Sequence, residues 1–86
     1  MKYIQPIEIW IDGNIVKGTI LNIFVIYDNL NDSATFYYAL YSGTLEEIGQ
    51  KLTDSNITMT PEDYKNWQDD TTLYDWISKT LSITFL

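Results

Sequence analysis

The sequence contains no histidine, no cysteine and no arginine. Without histidine, the usual general base near neutral pH and the commonest metal ligand are both missing. Without cysteine there is no disulfide scaffold, no thiolate nucleophile and no thiolate-based zinc or iron–sulfur site. All five cations are lysines, so no guanidinium fork is available for a phosphate or carboxylate. Long apolar runs are lacking too. The longest, Ile20 to Tyr27, is interrupted by Asn22 and falls far short of the ~20 residues a membrane helix needs. Gln5, Pro6 and Glu8 spoil the apolar region of a signal peptide. These absences predict a protein without a cofactor or metal, and one that is not an enzyme and does not enter a membrane. A reducing cytoplasm is compatible with the missing cysteine.

What remains is enough to fold. The 86 residues allow one small domain spanning 1–86. Apolar residues make up 45% and aromatic residues 15%, far from the composition of a disordered acidic chain. A domain of this size buries only about 60–65% of its unfolded surface, so its own stability is expected to be modest. Aromatic side chains, each burying roughly 150–250 Å², and assembly with partners are the available supplements. The formal net charge is −7. From Tyr41 onward acids outnumber lysines eight to three, against four to two before it, so the negative field is expected to be stronger towards the second half.

The pattern predicts an α+β domain: a small, mainly antiparallel β-sheet with one or two C-terminal helices packed on one face. Tyr3–Ile11 alternates as a strand, with Pro6 favouring an edge. Asp12-Gly13-Asn14 is a hairpin turn. Ile15–Asp28 is the second strand, bent or bulged at Gly18. Alternation groups Leu21, Ile23, Val25 and Tyr27 on one face and Ile20, Phe24 and Ile26 with Asn22 on the other. Both faces are apolar, so this strand is central or meets a partner. Ala34–Ser42 is the third strand, with Ala34, Phe36, Tyr38 and Leu40 on one face and Thr35, Tyr37, Ala39 and Tyr41 on the other. Two readings compete over 43–59: a short helix from Thr44 to Leu52, weakened by Gly49, or a returning strand that ends near Ile57 and Met59. The strand is preferred. Thr60-Pro61-Glu62-Asp63 starts a short helix with Thr60 as its N-cap. Asp69-Asp70-Thr71 starts another, running to about Ser82 with Leu73, Trp76, Ile77 and Leu81 on one face. Ile83 and Phe85 suit a last short strand.

Several clusters invite a chemical reading. The oxygen-rich loop Asp28-Asn29-Leu30-Asn31-Asp32-Ser33 lacks the spacing of a Ca²⁺ hand, and Asx side chains that bond their own backbone account for it. Asp69 and Asp70, with Asp75 further on, are more simply helix-start charge than an acid–base pair. Trp67 and Trp76 fit the packing of helices onto the sheet. Trp10, Tyr37, Tyr38 and Tyr41 form the candidate interaction set, an aromatic-rich β surface. A nucleic-acid platform would need a basic groove, which a −7 chain without arginine does not supply. Two readings of the set stand: a protein interface, where tyrosine and tryptophan are enriched, or a division between core and ordinary strand positions.

The order of features also resembles a known group. It runs from a Trp10 and Asp12-Gly13 hairpin, through the 28–40 loop and strand and Ile57-Thr58-Met59, to Pro61–Trp67 and Tyr74-Asp75-Trp76-Ile77 with an apolar end. In this it is similar to small uncharacterised proteins of tailed bacteriophages, including crAss-like phages of Bacteroides hosts. Gly43–Ser55 has no counterpart in that pattern. The resemblance implies a non-enzymatic virion structural or assembly component, located in the virion or the bacterial host cytoplasm. Its expected partners are phage virion proteins or further copies of itself, bound through protein–protein contacts. The alternative is an acidic phage-encoded inhibitor of a host protein, imitating DNA charge.

Overall fold

The computed structural model describes residues 1–86. Four strands run β1 (Lys2–Ile11), β2 (Asn14–Asp28), β3 (Ala34–Gly43) and β4 (Ile48–Thr58), followed by α1 (Pro61–Asn66) and α2 (Asp70–Leu81). The sheet is an antiparallel meander in the order β1-β2-β3-β4, and the two helices lie on one side of it. The small α+β architecture read from the sequence is therefore the one observed. No helix is long and apolar enough to cross a membrane.

Local chemistry explains most boundaries. At the β1–β2 turn Asp12 (φ 50°) and Gly13 (φ 81°) both take positive φ, the pair of values a two-residue hairpin requires. Thr60 caps α1: its hydroxyl accepts the Asp63 amide at 3.2 Å while the Asp63 carboxylate accepts the Thr60 amide at 3.4 Å. Asp69 caps α2 reciprocally with Thr72. These carboxylates serve the first helical turns, where the dipole also favours them. Ser82, at φ 55°, ends α2 in the left-handed conformation and turns the chain back along β1. There Ile4 bridges Phe85, the Gln5 amide donates to the Thr84 carbonyl at 2.8 Å and the Leu86 amide to the Tyr3 carbonyl at 3.1 Å. The short strand expected at Ile83 and Phe85 is thus a single bridge.

The core lies between sheet and helices. Ile4, Leu21, Ala34, Phe36, Leu40, Met59, Leu73, Ile77 and Ile83 form one buried cluster. Phe36 is at its centre, with its ring 5.5 Å from that of Trp67 and 5.7 Å from that of Trp76. Trp67 and Trp76 are thus packing residues, as helical spacing suggests.

Three details depart from simple alternation. First, β4 occupies Ile48–Thr58, so the helix alternative over Thr44–Leu52 fails: its backbone is committed to β3, with Tyr41 opposite Lys51 and Gly43 opposite Ile48. Second, the register slips between Val25 and Tyr27. Ile26 is the extra residue, so Tyr27 pairs with Thr35 and leaves the face of Leu21, Ile23 and Val25. Third, the irregularity expected at Gly18 is present: the register slips between the pairs Ile7↔Gly18 and Tyr3↔Ile20, and Pro6, on the β1 side of the slip, has no amide to donate. Gly18 has a second role, because a Cβ there would lie 2.6 Å from Leu40 Cδ2. Its missing side chain is the space that Leu40 fills.

Candidate functional site

The helices leave the opposite sheet face open. Strand pairing sets its membership, since directly paired residues share a face. Ile20 pairs with Tyr41, Asn22 with Ala39, Phe24 with Tyr37 and Tyr27 with Thr35. Tyr37 in turn faces Asn56, and Ala39 faces Asp54. Ile20 and Ala39 are fully buried on this side although no helix covers them. Ile20 lies between Tyr3 and Tyr41 in the ladder, and the flanking rings shield it. The Tyr3 hydroxyl extends further and accepts the Leu45 amide at 3.0 Å.

The centre of the face is an aromatic pair with a polar flank. The Phe24 and Tyr37 rings stand 5.1 Å apart, tilted by 39°. The Tyr37 hydroxyl donates to Asp54 Oδ2 at 2.7 Å, and Lys51 Nζ reaches the same oxygen at 3.3 Å. Next along the strands, the Thr35 and Thr58 hydroxyls bond at 3.0 Å. The bond from Tyr37, and then that from Lys51, holds the Asp54 carboxyl below its ordinary range. The same bond to Asp54 pushes the Tyr37 phenol up, and the bond to Asp54 also raises the Lys51 ammonium. Near neutral pH the Tyr37 proton is therefore held, which suits a fixed hydrogen-bonding ring and not a nucleophile.

These directions fix a pH dependence. The depressed Asp54 contributes stability above the unfolded aspartate value and loses it as pH falls through the folded one. The raised Tyr37 and Lys51 contribute below their unfolded values and lose it as pH rises through the folded ones. Asp54→Asn is expected to flatten the stability profile at both extremes, below about pH 4 and above about pH 10, measured as urea midpoints across pH. Tyr37→Phe is expected to move the Asp54 carboxyl titration upward in NMR. An unmoved Asp54 titration would mean that the Tyr37 bond does not hold the carboxylate in solution.

The structure brings together only part of the set proposed from sequence. Tyr37 and Tyr41 share the open face. Tyr38 points to the other side and packs against the core beneath the helices, because neighbouring strand residues alternate. Trp10 is on the open side but pairs with Ile15 near the β1–β2 turn. It stands about 30 Å along β2 from Phe24, at ~3.3 Å per residue. Trp10 is 72% exposed and is isolated from the tyrosines. Phe24, Asp54 and Lys51 complete the site, and sequence reasoning did not join them to it. The apolar alternation of β2 is the signal that pointed to Phe24. Pairing it with Tyr37 requires the register.

The other clusters resolve into local structure. In the 28–33 loop the Asn29 side-chain oxygen accepts the amides of Asn31, Asp32 and Ser33, and Asp28 Oδ1 accepts the Leu30 amide. Asp28 Oδ1 also accepts the Tyr64 hydroxyl at 2.8 Å, which raises that phenol. No group of three or more His, Cys, Asp or Glu is placed to hold a metal ion. A cleft of about 230 Å³ opens between the helices beside Met59, Trp67 and Trp76, with Asp63, Asp75 and Lys79 at its margin. Asp63 is engaged with Thr60.

Compared with protein-family models, with curated proteins and with solved structures, the chain gives no match.

Proposed function

We propose that the chain is a non-enzymatic virion structural or assembly component of a tailed bacteriophage, working through protein–protein contacts on its open sheet face. One observation carries the reading: the helices cover one face of the sheet, while the other holds an ordered aromatic pair, Phe24 and Tyr37, with no layer over it. Phe24 is 48% exposed. Rings already held in place lose little rotamer freedom on binding, and aromatic anchors dominate protein interfaces. The face is also close to neutral, since Asp54 is paired with Lys51 and Glu8 stands opposite Lys17. That favours a protein partner over nucleic acid. The phage setting rests on the resemblance described above.

The acidic-inhibitor alternative has less support. Asp63 and Asp69 accept backbone amides at helix starts, and Asp28 is tied to Tyr64, so local structure already accounts for these acids without a basic partner.

The test is particle composition. Mass spectrometry of purified virions from the phage that encodes the chain is expected to find it at defined copy number. A Phe24→Ser/Tyr37→Ser double variant, confirmed folded by circular dichroism, is expected to be lost from particles. The reading is refuted if the protein is abundant in infected cells yet missing from virions.

A further inference from the structure

The cleft between α1 and α2 lies on the other side of the sheet from Phe24 and Tyr37 and has a chemistry of its own. Its volume is about 230 Å³, and Met59, Trp67 and Trp76 form its apolar wall. The two indoles rest on the Phe36 ring at 5.5 and 5.7 Å, so they are fixed before anything binds. Neither indole N–H has an acceptor within the chain. No polar side-chain atom is buried without a partner, so both N–H groups reach solvent. The polar wall divides into two kinds. Asp63 and Thr72 are committed to the helix caps. Asn66, Asp75 and Lys79 also line the cleft, and their side chains make no hydrogen bond or ion pair within the chain. Asp75 and Lys79 stand four residues apart on α2, the spacing at which opposite charges close on each other. Yet the ion pair of this chain is Lys51–Asp54 alone.

We propose that this cleft binds a saccharide, seating one pyranose unit against the indoles. The lining selects that class of ligand. A pyranose has an apolar face of C–H groups, which suits an indole ring. Its rim carries hydroxyls that both donate and accept. Asp75 supplies acceptors, Lys79 donors, and Asn66 both, so neighbouring hydroxyls of a sugar use all three. An anion would meet the charges of Asp63 and Asp75, and a cation would meet that of Lys79. An apolar ligand would strip water from groups it cannot pair. Drug-sized ligands take pockets of about 300–1,000 Å³, so the cleft holds a single sugar unit, with any longer chain continuing into solvent. Few atoms are in contact, so the affinity is weak, in the millimolar range. The site uses the helices, not the open sheet face, and stands or falls independently of the function proposed above.

The indole N–H signals in the NMR spectrum of the nitrogen-15-labelled chain provide the test. The chain has three tryptophans, and Trp10, beside the β1–β2 turn, is the internal control. The probes are the methyl glycosides of glucose, galactose, mannose and N-acetylglucosamine, titrated from about 0.1 mM to about 100 mM. At least one is expected to move the Trp67 and Trp76 signals saturably and to leave Trp10 in place. Cellotriose and chitotriose form a second arm: tighter binding than the matching monosaccharide marks a glycan chain as the ligand, and equal binding a free sugar. Asp75→Ala and Lys79→Ala alter exposed side chains. Each is expected to raise the dissociation constant about tenfold, the loss of one hydrogen bond to a charged group, with the circular dichroism unchanged. Lys65→Ala, on α1 but outside the cleft lining, is expected to bind as before, and so is Phe24→Ser/Tyr37→Ser. No saturable movement with any of these sugars, equal movement of all three indoles, or undiminished binding in both Asp75→Ala and Lys79→Ala would overturn the proposal. So would a response to tetramethylammonium or acetate in place of the sugars.

Discussion

Phe36→Ala is expected to remove most of the stability of the domain. Phe36 is 2% exposed, the largest of the fully buried side chains, and both partly buried tryptophans of the helical half rest on its ring. Truncating such a phenylalanine costs about 3–5 kcal/mol, from lost burial and from the cavity left behind. A chain of this length has a total stability of the order of 5–10 kcal/mol, so half or more of it would go. At about 4–8 °C per kcal/mol for domains of this size, the melting temperature should fall by roughly 15 °C or more. Thermal unfolding followed by circular dichroism checks the fall. Tryptophan emission should shift to the red as Trp67 and Trp76 lose their contact. Phe36→Leu, which keeps more of the volume, should cost about 1 kcal/mol. A shift below about 5 °C for the alanine variant would mean that the helices are held to the sheet by something other than this aromatic contact.

Gly43→Ala has the second-largest expected effect, for a different reason. Gly43 ends β3 with φ at 92°, and an added Cβ would lie 2.5 Å from the Glu47 carbonyl oxygen and 2.7 Å from the Gly49 amide nitrogen. These are backbone atoms, so no rotamer change relieves the contact. The left-handed region costs an alanine about 1–2 kcal/mol and overpacking costs about 1–3 kcal/mol, so a loss of about 2–4 kcal/mol is expected, read as a lower urea midpoint at unchanged slope. Gly13 is the natural control: its φ is 81° but nothing lies within 4 Å of the added Cβ, so Gly13→Ala should show the conformational cost alone, about 1–2 kcal/mol. The damage at Gly43 should also spread. The Gly43 carbonyl accepts the Thr19 hydroxyl at 2.7 Å, and the adjoining loop is tied to Tyr3 through the Leu45 amide. Hydrogen exchange at Leu45 is expected to quicken in Gly43→Ala and to stay unchanged in Gly13→Ala.

Elements defined by local chemistry were legible in the sequence. The Asp12-Gly13 turn, the Thr60 and Asp69 caps, and the alternation of Ala34–Leu40 each depend on residues within a few positions of one another. Such signals survive without a tertiary context. The strand reading of 43–59 rested on weaker ground. Leu45, Ile48 and Leu52 fit a helix as well, and what decides for β4 is its pairing with β3. The Tyr27 face was misjudged because alternation assumes an unbroken ladder, and a single extra residue at Ile26 reverses every side chain beyond it. The same limit governs the candidate site. Sequence grouped Trp10, Tyr37, Tyr38 and Tyr41 by type. Alternation separates Tyr38 from its neighbour, and only the register sets Phe24 against Tyr37 and Asp54 within reach of its hydroxyl.

The sequence by itself determined the α+β class, the turns and caps, and the want of histidine, cysteine and arginine that directs attention from catalysis to surfaces. Those properties follow from composition and short-range spacing. Tertiary structure alone decided which apolar residues became core and which stayed on an open face, and which polar side chains meet the tryptophans in the cleft between the helices. Both depend on register and on helix packing, which are set by contacts between residues far apart in the chain.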